Sequence, residues 1–234
     1  MKRVTRNSGD IFNIRLRSDL FTLAQATTTT ELCFFNIFSH DGKWKDVDLN
    51  RIPELFCAFT SSNFLKYRAI GKIKAGVIPS QRVGGDEYRL SVLDNPDYVP
   101  GGTQFVWRGA NLVKVDPIHG TRGTLQDPVI KSNLGPEDRE IIEAHEFTNM
   151  RVDPELTERL ILCYEAGYNI DPFKARIFPN CTFLTNQFVL KSFQFNNGLY
   201  KIDMEFSKEY IDAIRNSPSP ERAAGLKVLP MDVY

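Results

Sequence analysis

Three histidines and four cysteines are the side chains best suited to nucleophilic, general-base or metal chemistry in this chain of 234 residues. His40 falls in a turn and His119 in a loop. His145 falls in a helical stretch, and His145-Glu146 lacks the second histidine at i+4 that a helical zinc site needs. Cys33, Cys57, Cys163 and Cys181 are widely separated and form no CxxC pair. Cys33 and Cys57 lie inside apolar strand-like runs, where a free thiol behaves as a small hydrophobe. Burial there raises a thiol pKa, which works against either cysteine as a nucleophile paired with His40. There is no GxSxG elbow, no HExxH, no P-loop, and no GxGxxG after a strand. The loop His119-Gly120-Thr121-Arg122-Gly123-Thr124 has glycines that let backbone amides approach an anion, and Arg122 to clamp it. A flexible two-glycine connector is the preferred reading of this loop. An enzyme built on a Cys/His pair or on the 119–124 loop is therefore the alternative reading, and no metal or cofactor is expected.

Two aromatic residues are the other candidates. Trp44 sits in a charged, aperiodic stretch (Lys43, Lys45, Asp46, Asp48), where an exposed ring would suit an interface anchor. Trp107 sits in a strand and reads as core. Trp44 and Arg122 are thus the candidate partner-binding residues.

Composition narrows the class. Hydrophobic residues at 42% and charged residues at 25% describe a globular chain rather than a disordered one. The 29 basic residues balance the 29 acidic ones, which removes the global attraction expected of a nucleic-acid binder. The basic arm Lys2, Arg3, Arg6, Arg15 and Arg17 reads as solvated charge flanking a strand. Neither a secretory leader nor a run approaching the ~18 apolar residues of a membrane span is expected, so the cytoplasm is the natural compartment.

The elements that would position these residues follow from periodicity. Ile11–Leu16, Phe21–Gln25, Glu31–Phe38, Leu55–Phe59 and Tyr67–Ile73 read as strands, with one helical turn at Ser62–Lys66 before the last. Tyr88–Leu93 is a strand, Asp94–Gly102 a loop rich in Pro and Gly, and Thr103–Val115 strand-like again. Residues 116–136 lack periodicity and predict a linker or long surface loop. Gly135-Pro136-Glu137-Asp138 starts a helix expected to reach Phe147. Asp153-Pro154-Glu155 starts a second, ended by Gly167, with Leu156, Leu160, Cys163 and Tyr164 on one face. Asn197-Gly198 predicts a hairpin between Phe188–Phe195 and Leu199–Phe206, with a bulge near Lys191-Ser192. Ser207 can cap a short helix reaching about Asn216. The expected fold class is α+β: a strand-rich N-terminal twisted sheet or partly open barrel, then a smaller unit of two or three helices and a β-hairpin. The expected domains are residues 1–133 and 134–234.

Four segments, in order, carry a resemblance. Gly9-Asp10-Ile11-Phe12, Phe35 to Ser39, Leu55 to Phe59 and Tyr67 to Gly71 are similar to the ordered motifs of the bacterial immunity protein 26 family, over roughly residues 9–115. Tyr67 stands where that family usually has Trp. The resemblance implies a strand-rich α+β fold. It also implies a non-enzymatic protein that neutralises a cognate bacterial toxin by direct binding and occlusion. The implied partner is a toxin domain; composition separately argues against a membrane and makes nucleic acid a disfavoured partner. Homo-oligomerisation is compatible with this reading.

Overall fold

The computed structural model describes residues 5–82, 84–99, 102–119, 121, 126–181, 184, 188–196 and 199–206. Residues 94–99, 102–107, 188–196 and 199–206 are described by their backbone. The N-terminal sheet has five antiparallel strands: β1 (Ile11–Arg17), β2 (Leu20–Ala26), β3 (Glu31–Ser39), β5 (Glu54–Phe59) and β6 (Ala69–Ile73). Their order is β5-β3-β2-β1-β6, so the sheet is open and ends on β5 and β6 rather than closing into a barrel. The fold is α+β.

Both faces of this sheet are buried, and the sequence shows why. Side chains alternate across a strand. Phe12, Ile14, Ala24, Leu32, Phe34 and Phe38 fill one face, together with Phe64 and Leu65 of α1 (Ser62–Arg68). Ile11, Phe21, Leu23, Phe35 and Ile37 fill the other, against Trp44, Val47 and Leu49. That second cover is a short parallel pair, β4 (Val47–Asp48) with β7 (Val77–Ile78). The dense aromatic run of β3 is thus a strand with two apolar faces.

A second sheet has the order β10-β9-β8, from β8 (Tyr88–Val99), β9 (Gly102–Lys114) and β10 (Val129–Lys131). Here the sequence expectation fails twice. Asp94–Gly102 is not a loop: β8 runs to Val99, with Asp94 opposite Trp107 and Val99 opposite Gly102. Pro96 is tolerated because β8 is an edge strand, where a missing N–H need not break a ladder. Within 116–136, Val129–Lys131 pairs with β9 despite having no pattern of its own.

The helices also depart in detail. α1 extends through Arg68, so Tyr67 is helical and the strand begins only at Ala69. After a 3-10 turn at Pro136–Asp138, α2 (Arg139–Ala144) ends at an extended His145 instead of reaching Phe147. α3 (Glu155–Ala166) ends where expected, on Gly167 at φ 80°, and α4 (Pro172–Ile177) follows, capped by Asp171. The C-terminal hairpin is present as β11 (Phe188–Asn196) and β12 (Leu199–Phe206), with its irregularity between Leu190 and Ser192. Its Asn197-Gly198 turn and the helix expected after Ser207 lie outside the described residues.

Residues beyond the expected 133/134 boundary pack on those before it. Leu156, Leu160 and Cys163 of α3 share a core with Phe12 and Phe34. Residues 145–151 form a strap between the two sheets: Leu90 N donates to Glu146 O (2.8 Å) and Arg151 N to Phe59 O (2.7 Å). Among the described residues no helix is long and apolar enough to cross a membrane.

Candidate functional site

The open edge at β6 is the first surface with unusual chemistry. Ser61 caps α1, its Oγ accepting from Phe64 N at 3.3 Å, and Phe64 and Leu65 anchor that helix in the core. Among the described residues β6 then pairs with β1 alone, Gly71 opposite Asn13. Two ion pairs hold the edge. Lys72 Nζ donates to Asp10 Oδ2 at 2.6 Å, and Arg68 grips Asp153 with both prongs at 2.6 and 3.0 Å. Between them Tyr67 and Ile70 stand 53% and 57% exposed, with Lys66 Nζ 5.6 Å above the Tyr67 ring. Proteins usually shield edge strands because their unpaired N–H and C=O groups template pairing with another chain. Here the edge carries apolar side chains and cations already matched to acids.

The second arrangement is a buried ionic cluster where the strap meets α3 and α4. Arg159 holds Glu146 bidentately (2.7 Å to each oxygen), donates from Nε to Ile170 O at 2.9 Å, and lies 3.6 Å over the Phe56 ring. Arg151 donates to Glu155 at 2.9 Å and to Asp171 at 2.6 Å, and stacks near Phe147 and Phe173. Burial works against the Glu146 charge, but Arg159, Lys174 and Arg151 outweigh it and hold the carboxyl well below its ordinary range. Burial likewise opposes the Arg159 charge, and Asp171 with Glu146 overcomes it. Every charge here meets an opposite one, so the cluster joins elements rather than offering a reactive group. A separate buried pair, Arg89 with Glu31, ties β8 to β3, and burial lowers the Arg89 guanidinium to about 10.

The residues singled out from sequence scatter. Trp44 is a correction: it is 9% exposed in the lower core, packed with the apolar side chains under β1 to β3, and its indole N–H meets no acceptor among the described residues. Its charged neighbours hid the fact that Val47 and Val77 pair beneath it. Arg122 lies outside the described residues, as does most of the 119–124 loop. His119 is exposed and bonded to Asp116 through Nδ1 at 2.9 Å. His40 is not beside a cysteine thiol; its Nδ1 meets Asp19 O at 2.7 Å and its Nε2 faces Tyr164 Oη at 3.4 Å. Cys163 is buried, and burial pushes its thiol up to about 11.

Cys33 and Cys57 correct the expectation of isolated thiols. They face each other across β3 and β5, and their sulfurs are bonded. Glu54 adds a carboxylate beside them, so that donor atoms of Cys33, Cys57 and Glu54 lie within 4.8 Å of one another. No sequence spacing signals this group, because strand register alone brings residues 33 and 57 together.

Family membership rests on a match across most of this architecture: a family model fits residues 1–183, from before β1 to just past α4. The chain belongs to the DUF8309 family, a domain of unknown function. The DUF8309 match takes in both sheets, the strap and the ionic cluster, and runs across the 133/134 boundary. No curated protein matches the chain, and no solved structure does.

Proposed function

We propose that this DUF8309 protein is an immunity-type binding protein that neutralises a cognate bacterial toxin by direct binding and occlusion. One observation carries the reading beyond the resemblance. Of the four segments resembling the immunity protein 26 family, Gly9–Phe12, Phe35–Ser39 and Leu55–Phe59 place apolar side chains in the core, but Tyr67–Gly71 exposes Tyr67 and Ile70 on an open edge. Core packing accounts for the first three and leaves the fourth unexplained. An unpaired strand that exposes Ile70, entered from a helix whose last turn exposes Tyr67, suits the addition of a partner's strand, where main-chain hydrogen bonds supply affinity and side chains supply specificity. The Cys/His alternative gains nothing from the geometry, because Cys33 and Cys57 are bonded to each other and His40 is engaged elsewhere.

The test is co-expression with the toxin encoded beside the gene, read as growth, together with binding of the purified pair. The unsubstituted protein is expected to restore growth and bind. Tyr67→Ala with Ile70→Asp is expected to lose both, while its unfolding free energy in urea moves by no more than about 0.5 kcal/mol, as for other exposed sites. Full protection by the double variant would remove β6 as the contact. Failure of the unsubstituted protein to bind or protect would overturn the function itself.

A further inference from the structure

The Cys33–Cys57–Glu54 group lies apart from the β6 edge, on the opposite border of the sheet. Its geometry depends on an irregular strand. In a regular strand residues 54 and 57 point to opposite faces. The register of β3 and β5 shifts between Phe34 and Phe35, and the Glu54 carboxylate lies 3.7 Å from Cys57 Sγ. Such irregularities re-aim side chains. Arg82 Nη1 then donates to Glu54 Oε2 at 2.6 Å. Carboxylates that ligate metals are themselves held by hydrogen bonds from behind, the role Arg82 takes toward Glu54. Cys33 and Cys57 are buried, whereas Glu54 is exposed to solvent.

We propose that the reduced form of this site binds one Zn2+ through Cys33 Sγ, Cys57 Sγ and a Glu54 carboxylate oxygen, with water completing the coordination on the exposed side. Bond lengths of roughly 2.0–2.3 Å separate tetrahedral donors by roughly 3–4 Å. Three donors within 4.8 Å meet that need once the sulfurs part. Two thiolates select a borderline-soft ion over calcium or magnesium. Two thiolates and a carboxylate oppose the Zn2+ charge, and Arg82, which Glu54 shares with Asp86, adds a cation beside them.

The disulfide and the metal are alternative occupants of one place. A dithiol reductant supplies two electrons and two protons to the Cys33–Cys57 bond and itself becomes a disulfide. Zn2+ then displaces the two thiol protons, which pass to solvent. The sum is protein disulfide, dithiol and Zn2+ giving the zinc dithiolate, the reductant disulfide and two protons. Either occupant clips β3 to β5.

The full chain, reduced under inert gas and freed of reductant, is titrated with Zn2+ against a chromophoric chelator. One equivalent is expected to bind with release of two protons, and the oxidised chain is expected to bind none. Cys57→Ser should abolish binding, and Glu54→Gln should weaken it at least as far as the about 10–100-fold that losing an outer-shell partner costs. Because Cys57 is a core position, a second measurement needs no substitution: Zn2+ is expected to slow alkylation of Cys33 and Cys57 in the reduced protein, resolved by mass. A reduced chain that takes up no Zn2+, uptake that persists in folded Cys57→Ser, or alkylation unchanged by Zn2+ would each overturn the site.

Discussion

Arg159 shows what a single residue does here. Its guanidinium touches the strap through Glu146, the loop after α3 through Ile170 and Asn169, and β5 through the Phe56 ring. Substituting Arg159→Met keeps much of the side-chain volume but leaves Glu146 and Asp171 buried with fewer cations. Breaking a buried pair from one side costs about 3–5 kcal/mol, because the remaining charge has lost its compensation. A fall of that size in urea unfolding free energy is the expected result. Arg159→Lys should recover only part of it, since an ammonium cannot reproduce the bidentate fork. A loss within 1 kcal/mol for Arg159→Met would mean that the cluster positions elements without contributing to stability.

At the scale of elements, the β4–β7 cover depends on one backbone position. Gly76 has φ +80°, and a Cβ added there would lie 2.7 Å from the Trp44 carbonyl oxygen. Both the torsion and the close approach call for glycine. Gly76→Ala is expected to cost about 1–3 kcal/mol, the range for a non-glycine residue held in the left-handed region. Trp44 fluorescence should report local loosening of the cover, because Val47 N also bonds Gly76 O at 3.0 Å. An unchanged midpoint and spectrum would show that this cover is not needed for the β1–β3 core. The β6 edge is the contrasting element: changes at Tyr67 and Ile70 are expected to alter binding and leave stability alone.

For the molecule as a whole, the joint between its two sheets should respond to pH. His145 stands at the end of α2, where the strap begins. Burial first, then Lys174 and Arg89 against the pull of Asp86, hold its imidazole below the ordinary value. The unfolded chain takes up that proton near pH 6.5, the folded chain only at lower pH. His145 therefore adds stability that is fully present above about pH 6.5 and lost as pH falls through the folded pKa. The urea midpoint is expected to be lower at pH 5 than at pH 7, and His145→Gln should flatten that part of the slope. Glu146, held well below the usual carboxylate range, keeps its charge through this window, so its contribution should fail only in stronger acid. An identical slope in His145→Gln would place the sensitivity at another group.

Local pattern determined much of this protein. Alternation in β1 and the apolar density of β3 specified strands, and Pro154 and Gly167 bracketed α3. These are properties that a few neighbouring residues decide by their own torsions and burial. Tertiary structure decided the rest. Asp94–Val99 became strand because a partner strand lay alongside it. Trp44 became core because residues 77–78 returned to pair beneath it. Cys33 met Cys57 because β3 and β5 are neighbours in one register, and Glu54 joined them through a shift in that register. Packing at a shared joint made Glu146, Arg151, Arg159, Asp171 and Lys174 a buried cluster, which no local spacing signals. The β6 edge was equally invisible to periodicity, because whether a strand lies inside or at the end of a sheet depends on the order in which distant strands assemble.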